Sequence, residues 1–223
     1  MNPPQNWLSW ARGRKLLASL LLSSVQSQAA VWIGIDLTVD PFDPPRIVDE
    51  VSAHVDRVGA NGEKIMVVAI TGRTLTDPIV FWQSSLPEKP GIKNKDRKDT
   101  LEKLRAKLRQ GLENKNTYPK ALFDQSRIAD FFKLPATATL QDEQQLKLAI
   151  WSDMLEVHSP VDWEHGQIAA KDIAIPRLTG TVAIFGVRSS KYKDSVMWDK
   201  VRGIWVTTLK EAGLKTTVYS SIQ

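Results

Sequence analysis

The chain has 223 residues, 42% of them hydrophobic, with 30 Lys and Arg against 25 Asp and Glu and no cysteine. That composition is enough for a full globular core. The missing thiols exclude disulfides, thiolate nucleophiles and Cys-ligated zinc, without fixing a redox compartment. The net charge of +5 is local: residues 1–29 hold three bases and no acids, and residues 89–120 hold eleven Lys or Arg against four Asp or Glu, which leaves the rest at −5. The high pI is therefore no general argument for nucleic-acid binding.

Residues 1–29 have the pattern of a secretory signal peptide. A basic region ends at Arg14-Lys15, an apolar stretch runs from Leu16 to Val25, and Ser27 and Ala29 stand at −3 and −1 of a cut before Ala30. The stretch is shorter than the ~20 residues that span a bilayer, so it predicts no transmembrane helix. Cleavage would make the protein periplasmic or secreted. The alternative is an amphipathic helix, with Trp10, Leu17, Leu20 and Leu21 near one face, in a cytoplasmic protein.

Residues 30–40, Ala-Val-Trp-Ile-Gly-Ile-Asp-Leu-Thr-Val-Asp, are the stretch around which the rest of the chain is organised. Val31 to Ile35 is a near-continuous apolar run, as in a strand buried on both faces of a parallel sheet. Such a strand delivers Asp36, Thr38 and Asp40 to the carboxyl edge, where open α/β sheets bind ligands. The plainer alternative is that Asp36 and Thr38 only cap a turn.

Pro44 and Pro45 then suit the first turn of a helix carrying Ile47, Val48, Val51, Val55 and Val58, and Gly59 and Gly62 end it. His54 falls outside that stripe and is expected at the surface. Lys64 to Ile70 is a second buried strand, so strand, helix and strand make a βαβ unit with Thr71 emerging beside Asp36. Pro78 to Trp82 predicts a short antiparallel edge strand.

A helix capped by Asp99 or Thr100 is expected to run to about Asn114, with Leu101, Leu104, Leu108 and Leu112 as its apolar stripe. Lys103, Arg105, Lys107 and Arg109 flank the stripe, either as a solvated face or as a dock for an anionic partner. No aromatic residues interleave these bases, which argues against single-stranded nucleic acid. A further helical stretch after Pro119 would bury Ala121, Leu122, Ile128, Phe131 and Phe132.

Leu146 to Trp151 is a strand that brings Ser152 and Asp153 to its end. The loop over 158–176 holds His158, Asp162, Glu164, His165 and Asp172, a composition open to zinc or calcium, although His-x6-His is no compact ligand spacing. Thr181 to Val187 is another buried strand. Asp194 opens a helix to about Ala212, with Val196, Met197, Val201, Ile204, Trp205 and Leu209 at helical spacing, and Lys215 to Ile222 is a closing strand. Ser-His and Cys-His pairs for nucleophilic catalysis are not visible.

This order of elements, with acids at the ends of the first and fourth strands, resembles a von Willebrand factor A-like domain over residues 30–222. That family places a metal-ion-dependent adhesion site at the carboxyl edge of its sheet. Its first loop reads Asp-x-Ser-x-Ser, a Thr comes from a middle loop, and an Asp comes from the end of the fourth strand. Asp36-Leu37-Thr38-Val39-Asp40 is similar to the first motif, with Asp40 in place of the second Ser, and Ser152-Asp153 matches the strand-four position. Phe185-Gly186-Val187 and the helix before Ala212-Gly213 resemble the family's later elements. No middle-loop Thr matches: Ser84, Ser85 and Thr100 are poor candidates, and Thr71 lies on a different loop.

The resemblance implies a doubly wound α/β fold: a mostly parallel central sheet, helices on both faces and one antiparallel edge strand. The domain would span 30–223 with a basic helical insertion at about 89–120. It implies a divalent cation, magnesium or calcium, at Asp36, Thr38, Asp40 and Asp153, with Thr71 and Ser152 as additional residues, or a site that has lost its metal. The function implied is non-enzymatic binding of a protein partner. Two other readings stay open. Ile-Gly-Ile-Asp also opens RNase H-like hydrolases of nucleic acid or phosphoesters, whose first strand is followed by a hairpin rather than a helix. A scaffold binding an anionic partner through Lys103, Arg105, Lys107 and Arg109 is the other.

Overall fold

The computed structural model describes residues 29–40, 42–87, 95–138, 145–186, 189–192 and 194–220. The signal-like segment before Ala29, and Val187, Arg188 and Ile222, lie outside the described residues. Six strands form the central sheet: β1 (Ala29–Asp36), β2 (Lys64–Ile70), β3 (Val80–Ser85), β4 (Leu146–Ser152), β7 (Gly180–Gly186) and β8 (Leu214–Ser220). Their order across the sheet is β3-β2-β1-β4-β7-β8. All neighbouring pairs are parallel except β2–β3. A small hairpin, β5 (Val157–His158) with β6 (Val161–Asp162), stands apart.

Four helices cover the sheet: α1 (Pro44–Val58), α2 (Lys95–Glu113), α3 (Ile128–Ala138) and α4 (Ser195–Glu211). The pleat of β1 divides them. Val31, Ile33 and Ile35 point to one face, where they meet Val48, Val51 and Val55 of α1 and Leu104, Leu108 and Leu112 of α2. Trp32 points to the other face, among Phe131 and Phe132 of α3 and Val201, Trp205 and Leu209 of α4. The expected doubly wound α/β fold is therefore present, with helices on both faces and one antiparallel edge strand. Gly34 marks the tightest approach: a Cβ there would stand 2.8 Å from Ile70 and 2.9 Å from Phe131, so only hydrogen fits between strand and helix.

Local chemistry sets the helix ends. The Asp43 carboxylate accepts from the Arg46 amide at 3.2 Å, and the prolines behind it need no hydrogen-bond partner. Asp194 caps α4 in the same way, accepting from Met197 at 2.7 Å.

Several boundaries differ from the sequence expectation. β3 starts at Val80 rather than Pro78, because proline has no N–H for the ladder. α2 starts at Lys95, so Asp99 and Thr100 lie inside it; the Thr100 hydroxyl donates to the Asp96 carbonyl at 2.8 Å instead of capping. Arg97 ties that first turn to Asp56 of α1 at 2.8 Å. The stretch after Pro119 is not one helix but a 3-10 turn over Lys120–Leu122 followed by α3, which leaves Ala121 exposed. Val196 is 72% exposed although it falls near the apolar spacing of α4. His54 is buried, edge-on to Trp151 and Phe185 at 5.7 and 5.2 Å between ring centres. Burial first, and Arg57 second, depress its pKa to about 4, so it is a neutral core residue. Among the described residues no helix is long and apolar enough to cross a membrane.

Candidate functional site

Parallel register brings the strand-end residues together. Ile35 of β1 pairs with Trp151 of β4, so Asp36 and Ser152 leave the sheet side by side. The Ser152 hydroxyl donates to Asp36 Oδ2 at 2.7 Å. Thr38 donates to Asp36 Oδ1 twice, from its amide at 2.9 Å and its hydroxyl at 2.7 Å. A fourth donor, the Ser126 hydroxyl, reaches Oδ2 at 3.0 Å. Asp36 is only 1% exposed, and four donors hold its carboxylate in one orientation.

Ser126 was not foreseen from sequence. It lies in the loop ahead of α3 and is held by a two-way backbone bridge to Val157, at 2.8 and 2.9 Å. No local pattern marks it beyond a hydroxyl two residues before a helical stripe.

Asp153 follows Ser152 and is 2% exposed. Its Oδ1 accepts from the Leu155 amide at 3.1 Å. Burial, and then the negative charge of Asp36, raise its pKa from 3.8 to about 7, while the Leu155 amide, Ser189 and Lys191 oppose the rise. The next residue, Met154, sits at φ 63. A left-handed non-glycine residue is uncommon and costs on the order of 1 kcal/mol. Here it is pinned: its amide donates to Ser152 Oγ at 2.8 Å and its carbonyl accepts from Trp205 Nε1 at 2.8 Å. Tyr192 donates its hydroxyl to the Asp153 carbonyl.

The other expected residues are placed differently. Asp40 is exposed and held by Ser190, whose hydroxyl meets Asp40 Oδ2 at 2.9 Å and whose amide meets its carbonyl at 3.2 Å. It latches the loop after β1 to the loop after β7. Thr71 is buried at the end of β2, and its hydroxyl accepts from Arg73 at 3.1 Å within its own turn. Lys103, Lys107 and Arg109 are exposed on α2, and Arg105 is half-buried and paired with Glu102. The loop over 158–176 breaks into separate pairs: His158 with Glu156 at 3.2 Å, His165 with Asp162 at 2.7 Å, and the Trp163 indole with Asp172 at 2.8 Å. Among the described residues no group of three or more His, Asp or Glu is arranged to hold a metal ion.

A small cleft of about 20 Å³ opens beside the acids, lined by Thr38, Phe123, Asp124, Ser126, Asp153 and Lys191 among others. That is room for about one water molecule. The donor set is all hard oxygen: two carboxylates and the hydroxyls of Thr38, Ser126 and Ser152, each with lone pairs beyond the proton it donates. Magnesium and calcium take such ligands. A buried carboxylate whose pKa is raised by burial and by a second carboxylate beside it is also the electrostatic setting a cation relieves. With only two carboxylates, water or a partner's oxygen would have to complete the shell.

The fold and these residues define a class: an α/β protein with a buried, hydroxyl-bound carboxylate pair at the carboxyl edge of its sheet. Comparison with known proteins adds no narrower assignment, because no family model matches the chain and no curated protein matches it either.

Proposed function

We propose that the protein is a non-enzymatic interaction module of the von Willebrand factor A-like kind, which binds a protein partner at this edge, with a divalent cation as the bridge. The observation that carries the reading is the convergence of Asp36, Thr38, Ser126, Ser152 and Asp153 from three separate segments into one oxygen cluster beside an open cleft. Ser126, from a loop ahead of α3, supplies the hydroxyl that a middle-loop Thr supplies in that family. A helix follows β1 where an RNase H-like nuclease has a hairpin, which favours the binding reading over hydrolysis. Asp36, Asp153 and the three hydroxyls would hold the cation, magnesium or calcium. The cation supplies an electrophilic contact for a partner's oxygen, while the surrounding donors fix the carboxylates in place.

Titration of the purified chain with magnesium, calcium and manganese tests this. The expected result is a rise in melting temperature that Asp36→Ala abolishes. No shift with any of the three ions removes the cation from the reading. Export rests on the pattern of residues 1–29 and is tested by N-terminal sequencing from the native host, where Ala30 as the first residue is expected.

A further inference from the structure

The two edges of the central sheet differ. At β3 the ladder to β2 is broken by a register shift between Val67 and Val68, and α2 packs against the strand. A bulge and a covering helix both discourage a further strand. β8 has neither a bulge nor a proline. It is last in the sheet order, its seven residues pair in unbroken register with β7, and among the described residues no strand lies on its other side. The N–H and C=O groups of its alternate residues therefore point away from the sheet, as a template for another strand.

The side chains of β8 select which strand fits. Lys215, Thr217 and Tyr219 alternate along the face that α1 covers elsewhere, and all three are exposed. One side of the Tyr219 ring stacks on Phe185, 4.8 Å between centres and 9° from parallel, and Phe185 stacks in turn on Trp151 at 4.2 Å. Because β8 is outermost, the other side of the Tyr219 ring faces out past the edge. A second β8 laid antiparallel about Thr217 pairs all seven residues. Thr217 then meets Thr217, and Lys215 of each copy meets Tyr219 of the other on the same face. A lysine on an edge strand ordinarily deters pairing. In this register its ammonium group reaches the outward side of a tyrosine ring, which attracts it.

We propose that two copies of the chain join edge to edge through β8, antiparallel about a two-fold axis at Thr217, so that one continuous sheet runs through both. The two-fold axis makes the Lys215–Tyr219 contact twice, so each substitution there acts twice. β7 separates β8 from the strand-end acids of β1 and β4, and the joint needs no cation or partner at their cleft. The antiparallel arrangement turns the two clefts to opposite ends of the joined sheet.

Sedimentation equilibrium of the purified chain tests this, with wild type expected to be dimeric at micromolar concentration. Tyr219→Lys sets like charges opposite each other at both contacts and should weaken the dimer about tenfold. Tyr219→Glu sets a carboxylate opposite Lys215 and should dimerise within about threefold of wild type. Both variants lose the stack on Phe185, so damage to the fold alone would affect them alike. Adding Lys215→Tyr to Tyr219→Lys restores the two contacts in exchanged positions and should recover the dimer. Where a Tyr219 variant melts early, Lys215→Ala, outside the aromatic stack, should weaken the dimer about threefold. A monomeric wild type overturns the proposal. Equal dimerisation of Tyr219→Lys and Tyr219→Glu, no recovery in the double variant, or wild-type dimerisation of Lys215→Ala also overturns it.

Discussion

The strand-end cleft and helix α2 both carry charge, in opposite physical settings. At the cleft, Asp36 and Asp153 are buried and bound by groups from several segments, so each charge is felt by its neighbours. On α2, Lys103, Lys107 and Arg109 face solvent, while the buried leucines dock the helix on α1 and β3. Buried charge changes pKa values and builds sites, whereas exposed charge is screened and contributes little. The number of basic residues on α2 therefore says less about function than two acids hidden at a strand end.

The largest expected effect tests whether α2 is structural. Leu108 is fully buried, and Leu108→Ala should cost about 3 kcal/mol in urea unfolding. A loss below about 1 kcal/mol would mean that the helix is not packed as described.

The next concerns the cleft and pH. In chelator, Asp153 has a folded pKa of about 7 against an ordinary value of 3.8. Between those values the folded state binds more protons than the unfolded one, so this group's contribution to stability falls as pH rises from about 4 to about 7. Asp153→Asn removes that slope and should be more stable than wild type at pH 8, by on the order of 2 kcal/mol. Buried His54, with its pKa lowered to about 4, acts in the opposite sense, losing stability as pH falls from 6.5 to 4. It is present in both proteins, so the difference between their unfolding profiles isolates Asp153. Parallel profiles would contradict the buried acid pair.

A smaller effect sharpens the coupling. Asp36→Asn removes the negative charge that raises Asp153, so the Asp153 pKa should fall by about one unit in a carboxyl NMR titration, equivalent to about 1.4 kcal/mol. An unmoved Asp153 would separate the two carboxylates.

The smallest concerns the exposed bases. Lys103→Ala, Lys107→Ala and Arg109→Ala should each change stability by less than about 0.5 kcal/mol. Combined, they should leave cation-induced melting shifts as in wild type. A large loss would give α2 a role beyond packing.

Much of the fold was legible in local pattern. The run Val31 to Ile35 is a strand because β-branched residues buried on both faces suit a central parallel position. Asp43-Pro44-Pro45 starts a helix because the cap and the missing proline N–H both suit its first turn. All of the site but Ser126 was legible on the same grounds: Asp36, Thr38, Ser152 and Asp153 are polar residues at the ends of apolar strands, which brings them to the carboxyl edge. Asp40 and Thr71 share that signal, yet Asp40 is held by Ser190 and Thr71 by its own turn. Sequence position brings a side chain near an edge, but its hydrogen-bond partner decides where it points.

By itself, then, the sequence determined the strands, the helix starts, the leucine stripe of α2 and the order in which acids reach the strand ends, because propensity, periodicity and capping act over a few residues. Only the tertiary structure decided that Ser126 joins Asp36 across 90 positions, that His54 packs edge-on to Trp151 and Phe185, and that Lys115 stands over the rings of Phe42 and Phe123. Those are contacts between segments distant in the chain, and they form where strand register and helix packing bring the segments together.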